Sequence, residues 1–214
     1  MMYSPFKCPK LPSIPLNWPD VDAAFDGVPG LDFRQAWRET PEARFRPAVA
    51  RLAYHDRGLC VLAELEDIDV FNPVSGFNQP AFLEGDVVEV FVHSNVDRYY
   101  EIHAAPNGAL LQLKLPVGWQ KMTPSPFKGN PWDDAIASPV TRVMTRLTSN
   151  GWSAFLDIPF ELLNAHPKSG SLWSFAICRY DYTKGWPDPV LSSSAALSKI
   201  DFHQITNWDQ LVFV

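Results

Sequence analysis

The stretch Asp86-Val87-Val88-Glu89-Val90-Phe91-Val92-His93 decides the fold. Its density of β-branched residues suits a pleated strand and disfavours a helix. Outward from it, Ser94 to Arg98 read as a turn and Tyr99 to Ala105 as a second strand. Pro106-Asn107-Gly108 is a strong turn signal, and Ala109 to Leu115 forms a third strand. The three make an antiparallel meander.

Further out the same grammar repeats. Val49 to Tyr54 and Leu59 to Leu65 flank the turn His55-Asp56-Arg57-Gly58 and read as a hairpin. Val140 to Leu147 and Trp152 to Ile158 flank Asn150-Gly151, the strongest hairpin signal in the chain. Ser171 to Tyr180 and Gln210 to Val214 supply further strands, and Pro159 to Leu163 a single helical turn. Residues 1–47 show little periodicity, with one or two helical turns expected between Phe33 and Glu39. The expectation is an all-β chain: one antiparallel β-sandwich, immunoglobulin- or jelly-roll-like, of about ten strands with long loops and very little helix. Residues 48–214 would form the sandwich and 1–47 an irregular wrap.

Composition limits the alternatives. The 214 residues are 46% hydrophobic and 20% charged, in the range of folded soluble domains. Eight Trp, fourteen Phe and six Tyr suit a β core with rings left over for a binding surface. Twenty Pro interrupt long helices. A formal net charge of −6 argues against a nucleic-acid partner. No run approaches the roughly 18 apolar residues of a membrane-spanning helix. Residues 1–7 lack the pattern of a signal peptide, which points to the cytoplasm unless the N-terminus has been trimmed. Cys8, Cys60 and Cys178 have no short spacing and read as buried thiols.

Side chains alternate across a strand, so parity assigns faces. Val88, Val90 and Val92 share one face, and Glu89, Phe91 and His93 the other. Glu101 and His103 oppose Tyr100, Ile102 and Ala104, while Gln112 and Lys114 oppose Leu111, Leu113 and Leu115. The expected product is an aliphatic inner face and an open polar one of Glu89, Glu101, His103, Gln112 and Lys114. Such a mixture of carboxylate, amide, imidazole and amine suits saccharide hydroxyls, which both donate and accept. A solvated sheet face is the ordinary alternative.

An ordered series of segments carries a resemblance. It runs from Val49-Ala50-Arg51-Leu52-Ala53-Tyr54 with Glu66-Asp67, through Gly85-Asp86-Val87-Val88-Glu89, Tyr99-Tyr100-Glu101-Ile102-His103 and Pro106-Asn107-Gly108. It continues with Trp152, Ile158-Pro159-Phe160, Cys178-Arg179-Tyr180-Asp181, Phe202-His203 and Trp208-Asp209-Gln210-Leu211. Together these resemble the carbohydrate-binding module family 9-like superfamily, β-sandwiches related to DOMON-type domains. The resemblance implies a non-catalytic sugar-binding module that holds a ring between two tryptophans, with polar contacts from the sheet beneath. Glu89 is similar to the glutamate of the family's Asp-x-x-Glu strand, and His103 to a polar residue of the next strand. The two tryptophans do not carry over, since Phe82-Leu83 and Leu191 to Ala195 stand in their places. Rings would then come from loops: Phe77, Phe82, Trp119, Trp132 or Trp186. The expected ligand-binding set is Glu89, Glu101, His103, Lys114, Trp119, Trp132, Trp186 and Arg179.

Two other functions have some footing in the residues. A glycoside-processing enzyme could pair Glu89 with Glu101, although no nucleophile elbow, phosphate loop or zinc-hydrolase motif accompanies them. A haem-binding sandwich could use Met122, Met144, His103 and Lys114. No cofactor is expected, with calcium open at Asp67 and Asp69 or at Asp133-Asp134. His55, His166 and His203 read as turn or surface residues, and Arg179 with Asp181 as a structural ion pair.

Overall fold

The computed structural model describes residues 4–94 and 97–214; residues 95 and 96, inside the turn expected at Ser94 to Arg98, lie outside them. Two sheets pack face to face. The first runs β1 (Phe6–Cys8), β12 (Asp209–Phe213), β10 (Leu172–Asp181), β5 (Val87–His93), β6 (Arg98–Ala104), β7 (Leu110–Pro116), with β11 (Val190–Ser193) also on β10. The second runs β2 (Leu31–Asp32), β3 (Ala48–His55), β4 (Gly58–Glu66), β9 (Gly151–Pro159), β8 (Arg142–Thr148). Pairing is antiparallel throughout, except that β1 lies parallel to β12. This is the β-sandwich that the strand pattern led us to expect, with twelve strands among the described residues.

Three side-chain layers explain its stability. Between the sheets, Val88, Val90, Val92, Ile102 and Ile177 meet Leu52, Val61, Ala154, Leu156 and Ile158, all fully buried. Each such Val, Leu or Ile side chain contributes roughly 1.5–3 kcal/mol by leaving water. Outside the second sheet, Ala53, Cys60, Leu62 and Phe155 are covered by the helix α1 (Trp18–Phe25) through Val21 and Phe25. Outside the first sheet, Phe91, Leu111, Leu113, Leu115 and Cys178 are covered by loops bearing Trp119, Trp132, Phe202 and Trp208. That third layer holds the site. No described helix is long and apolar enough to cross a membrane.

Four expectations need correction. Residues 1–47 are less irregular than they read, since they contain β1, α1 and β2. The helix lies at Trp18–Phe25, not at Phe33 to Glu39, because Asn17 Oδ1 accepts from the Asp20 N–H and Pro19 sits in the first turn. Strand β11 arises within a segment that read as loop, and it is held by pairing with Cys178 to Asp181 of β10.

The fourth correction concerns β7. Glu101 pairs with Leu113 and His103 with Leu111, so the leucines share the outer face with the acidic residues. Gln112 and Lys114 pair with Ile102 and Tyr100 and point the other way. β7 is the edge strand of its sheet. Residues 138–141 cap the Gln112 side: Gln112 Nε2 donates to Ser138 O, and Thr141 N–H donates to Gln112 Oε1. The outer side of β7 buries Leu111, Leu113 and Leu115.

Candidate functional site

The outer face of β5 and β6 brings three ionisable side chains together. Register sets Glu89 opposite His103 and Phe91 opposite Glu101. His103 bridges the two acids, with Nε2 2.5 Å from Glu101 Oε1 and Nδ1 3.3 Å from Glu89 Oε1. The face is not open to solvent: Glu89 is 2% exposed, Glu101 5% and His103 1%. Phe82 covers His103 edge-on at 5.4 Å between ring centres. The loops fold over this face because its remaining residues, Leu111, Leu113, Leu115, Ala176 and Cys178, are apolar.

Burial and charge compete here, and they sort the protons. Burial pushes Glu89 up to about 8, with the Glu101 charge adding to the rise and His103 opposing it. Burial acts on Glu101 in the same upward direction, yet its hydrogen bond to His103 and the charges of His103 and His203 outweigh it and hold it low. Burial alone would lower His103, but Glu89 and Glu101 together raise it. At neutral pH Glu89 therefore keeps its proton, while Glu101 stays ionised against His103. That arrangement avoids two bare negative charges in a dry site.

A second chain of hydrogen bonds runs along the rim. The Trp119 indole N–H donates to Tyr99 Oη at 2.7 Å, and Tyr99 Oη lies 2.7 Å from His203 Nδ1. Tyr99 Oη thus accepts from Trp119 and shares a further hydrogen with His203 Nδ1. The His203 backbone is pinned by its N–H donating to Asp201 Oδ1 at 3.0 Å. His203 Nδ1 also lies 3.8 Å from Glu101 Oε2, which is buried without a hydrogen-bond partner.

Above these groups lies a cavity of about 340 Å³. Glu89 and Glu101 reach it from the sheet, and Phe82, Trp119, Trp132, Tyr180 and Phe202 wall it. The rings brace one another: Phe82 meets Trp132 and Tyr180 at 5.6 Å each, and Tyr180 meets Phe202 edge-on at 5.6 Å. Trp119 stands on a short turn after Gly118, whose φ of 75° is a left-handed conformation that glycine adopts freely. Trp132 stands on the turn Pro131–Asp134, closed by Asn130 N–H donating to Asp133 Oδ2.

Of the eight expected binding residues, Glu89, Glu101, His103, Trp119 and Trp132 come together. Lys114 lies on the opposite face, its ammonium 5.8 Å from the centre of the Tyr100 ring. Arg179 pairs with Val88 and so faces the sandwich interior, where it meets Asp67 at 3.2 Å, Asp181 at 3.1 Å and Glu66 O at 2.7 Å. Trp186 is 55% exposed and stacks under the Arg44 guanidinium at 4.4 Å. His203, expected in a turn or at the surface, does lie in a turn, and it is also part of the rim. Its involvement was signalled by Tyr99, which has the parity of Glu101 and His103.

The other expected ligand sets are placed apart. Met144 packs on the outer side of the second sheet, Met122 is exposed, and Lys114 faces away from His103, so these groups do not converge. The Asp67 carboxylate lies near those of Asp86 and Asp181, its Oδ1 accepts the Asp69 backbone N–H, and the Arg179 guanidinium pairs with Asp67 and Asp181. Both oxygens of Asp86 accept backbone N–H groups, from Phe71 and Tyr182. Asp133 serves its own turn.

Comparison with known proteins bears on the fold. No protein-family model matches the chain, and no curated protein matches it in sequence. Several solved structures match it, three of them over nearly its whole length. A candidate carbohydrate-binding protein from Bacteroides uniformis superposes with a TM-score of 0.74 at 16% identity, covering 97% of this chain and 98% of that one. A family 9 carbohydrate-binding module from Caldicellulosiruptor kristjanssonii in complex with cellotriose gives 0.66 at 17% identity, covering 97% and 93%. A family 9 module from the same organism in complex with glucose gives 0.65 at 16%, covering 97% and 94%. The twelve strands, their two-sheet order and these superpositions lead to one conclusion: the chain has the fold of the family 9 carbohydrate-binding modules.

Proposed function

We propose that this protein is a non-catalytic carbohydrate-binding protein that takes the end of a saccharide into the cavity over Glu89 and Glu101. The observation that carries the reading is the pairing of aromatic walls with buried acceptors in one concave site. Rings such as Trp132 and Trp119 suit the C–H faces of a pyranose, and the carboxyl groups suit its hydroxyls. The two solved family 9 modules hold cellotriose and glucose in the same fold, which supports a saccharide as the ligand class. The cavity is at the small end of the range for ligand pockets, roughly 300–1,000 Å³, which favours a chain end over a polymer stretch.

Catalysis does not follow from the two glutamates. Both face one imidazole, and Glu101 is engaged by its 2.5 Å contact with His103 Nε2 rather than standing free as a nucleophile. A glycan array followed by titrations read through tryptophan fluorescence tests the proposal. Saccharide binding should shift the emission of the rim tryptophans, weakly for monosaccharides because little surface is buried. Trp132→Ala should weaken the best ligand by about tenfold or more, in the range of a lost aromatic anchor. An array on which no saccharide binds would end the reading.

A further inference from the structure

The charges around the cavity select among saccharides. Three carboxyl-bearing residues line it, Glu89, Glu101 and Asp201, while neither Lys nor Arg does among the described residues. Asp201 is matched by Lys199 at 3.1 Å, which leaves the two glutamates as the acids in question. Two donors close to the floor are committed elsewhere, the Trp119 N–H to Tyr99 and His103 Nε2 to Glu101, while His103 Nδ1 lies 3.3 Å from Glu89 without a hydrogen bond. One acceptor stands idle: Glu101 Oε2 is buried and has no hydrogen-bond partner. Neutral sugars present hydroxyls that need donors as well as acceptors. An ammonium group needs acceptors alone, and electron-rich ring faces attract it.

Resting on the saccharide reading above, we infer that the preferred ligand is a cationic saccharide: an amino sugar, or a chain ending in one, with its amine free and protonated. The ammonium would sit against Glu101 Oε2 and Glu89, with Phe82, Trp132 and Tyr180 around it. A uronic acid would set its carboxylate against the partnerless Glu101 Oε2, acceptor against acceptor, and is disfavoured. N-acetylation removes the positive charge and two of the three donors, so acetylated sugars lose the advantage.

The protonation state of Glu89 gives the inference a signature. Burial pushes this group up to about 8, so it enters the encounter carrying a proton. The titratable groups facing it are His103 and Glu101 from β6 and Cys178 and Tyr180 from β10, and burial keeps the thiol and the phenol uncharged. A cation arriving beside Glu89 favours its ionised form, and the proton leaves to solvent.

Isothermal titration calorimetry decides the matter with glucosamine and chitosan oligosaccharides against N-acetylglucosamine, glucose and cello-oligosaccharides. Titrations near pH 6.5, in two buffers of different ionisation heat, count the protons released. The free-amine ligands should bind about tenfold more tightly than their neutral counterparts, equivalent to about 1.4 kcal/mol. Their binding should release close to one proton, and that of the neutral sugars none. Glu89→Gln should abolish the proton release, and Glu101→Gln should erase the preference for amines. A thermal melt confirms that each variant is folded; if Glu101→Gln fails to fold, the proton count with Glu89→Gln carries the test. Equal or tighter binding of neutral sugars overturns the charge inference and leaves saccharide binding standing. Amine preference that survives both folded variants, or amine binding by wild type without proton release, overturns it as well. No saccharide binding at all removes both readings.

Discussion

At the scale of single residues, His103 governs whether this site can exist. It satisfies Glu101 and faces Glu89 in a place where neither acid has water to turn to. Removing one member of a buried charge pair strands the other, at a cost of about 3–5 kcal/mol. His103→Ala should therefore destabilise the fold by about that amount in urea denaturation. Glu89→Gln should cost less than about 1 kcal/mol near neutral pH, because it replaces a group that is already protonated with a neutral isostere. If both variants lose the same stability, the proton assignment is wrong. The acids themselves were readable in the sequence, since parity alone put Glu89, Glu101 and His103 on one face. Their burial was not readable, because it depends on loops more than twenty residues away in the chain, such as those bearing Trp132 and Phe202. Parity also misassigned Gln112 and Lys114. Alternation says which residues share a face within a strand, but only the register between strands says which face that is.

At the scale of elements, legibility followed how locally each one is specified. The pairs β3–β4, β5–β6–β7 and β8–β9 carry alternation and their own turns, so the sequence announces them. The strands β1 and β11 are three and four residues long and owe their form to the neighbours they pair with. The helix α1 buries only Val21 and Phe25, too little apolar periodicity to stand out, though its capping residues were legible. Among the local signals, Asn150-Gly151 carries the strictest steric demand. Gly151 has φ of 154°, and a Cβ there would run into the Leu65 carbonyl of the neighbouring β4. Strand β9 is central to the second sheet, paired with β4 on one side and β8 on the other. Gly151→Ala must therefore either strain the backbone or push β4 away, and should cost about 1–3 kcal/mol. Gly108→Ala offers the contrast: its φ is also positive, but nothing lies near the added Cβ, so the penalty should be the smaller of the two. Equal loss of thermal stability in the two variants would mean that conformation alone, not the approach of β4, restricts position 151.

At the scale of the whole molecule, buried carboxyl groups set how stability responds to pH. Burial raises Glu89 to about 8, Asp86 to about 7 and Asp181 to about 6, from ordinary values near 4. They lie on both faces of the first sheet, Glu89 under the cavity, Asp181 beside Arg179 between the sheets, and Asp86 close to it just before β5. A group raised on folding binds its proton more tightly in the folded chain than in the unfolded one. Between about pH 4 and pH 8 the folded state thus holds more protons, and stability falls as the pH rises through that window. His103 has the same sign, since its raised value makes its contribution fade as the pH climbs above its ordinary range. Glu101 and Asp157 are held low and act oppositely, but their contributions are complete above about pH 4.5 and vanish only in stronger acid. The molecule should accordingly melt at its highest temperature in mildly acidic solution and lose thermal stability steadily toward pH 8.5. Each excess proton contributes a slope of at most about 1.4 kcal/mol per pH unit. Glu89→Gln and Asp86→Asn should each flatten the profile, because each removes one titrating group. A melting temperature that stays level or rises from pH 5 to pH 8 would show that these carboxyl groups are ionised in the folded protein, and the picture of a dry, proton-holding floor beneath the cavity would fall with it.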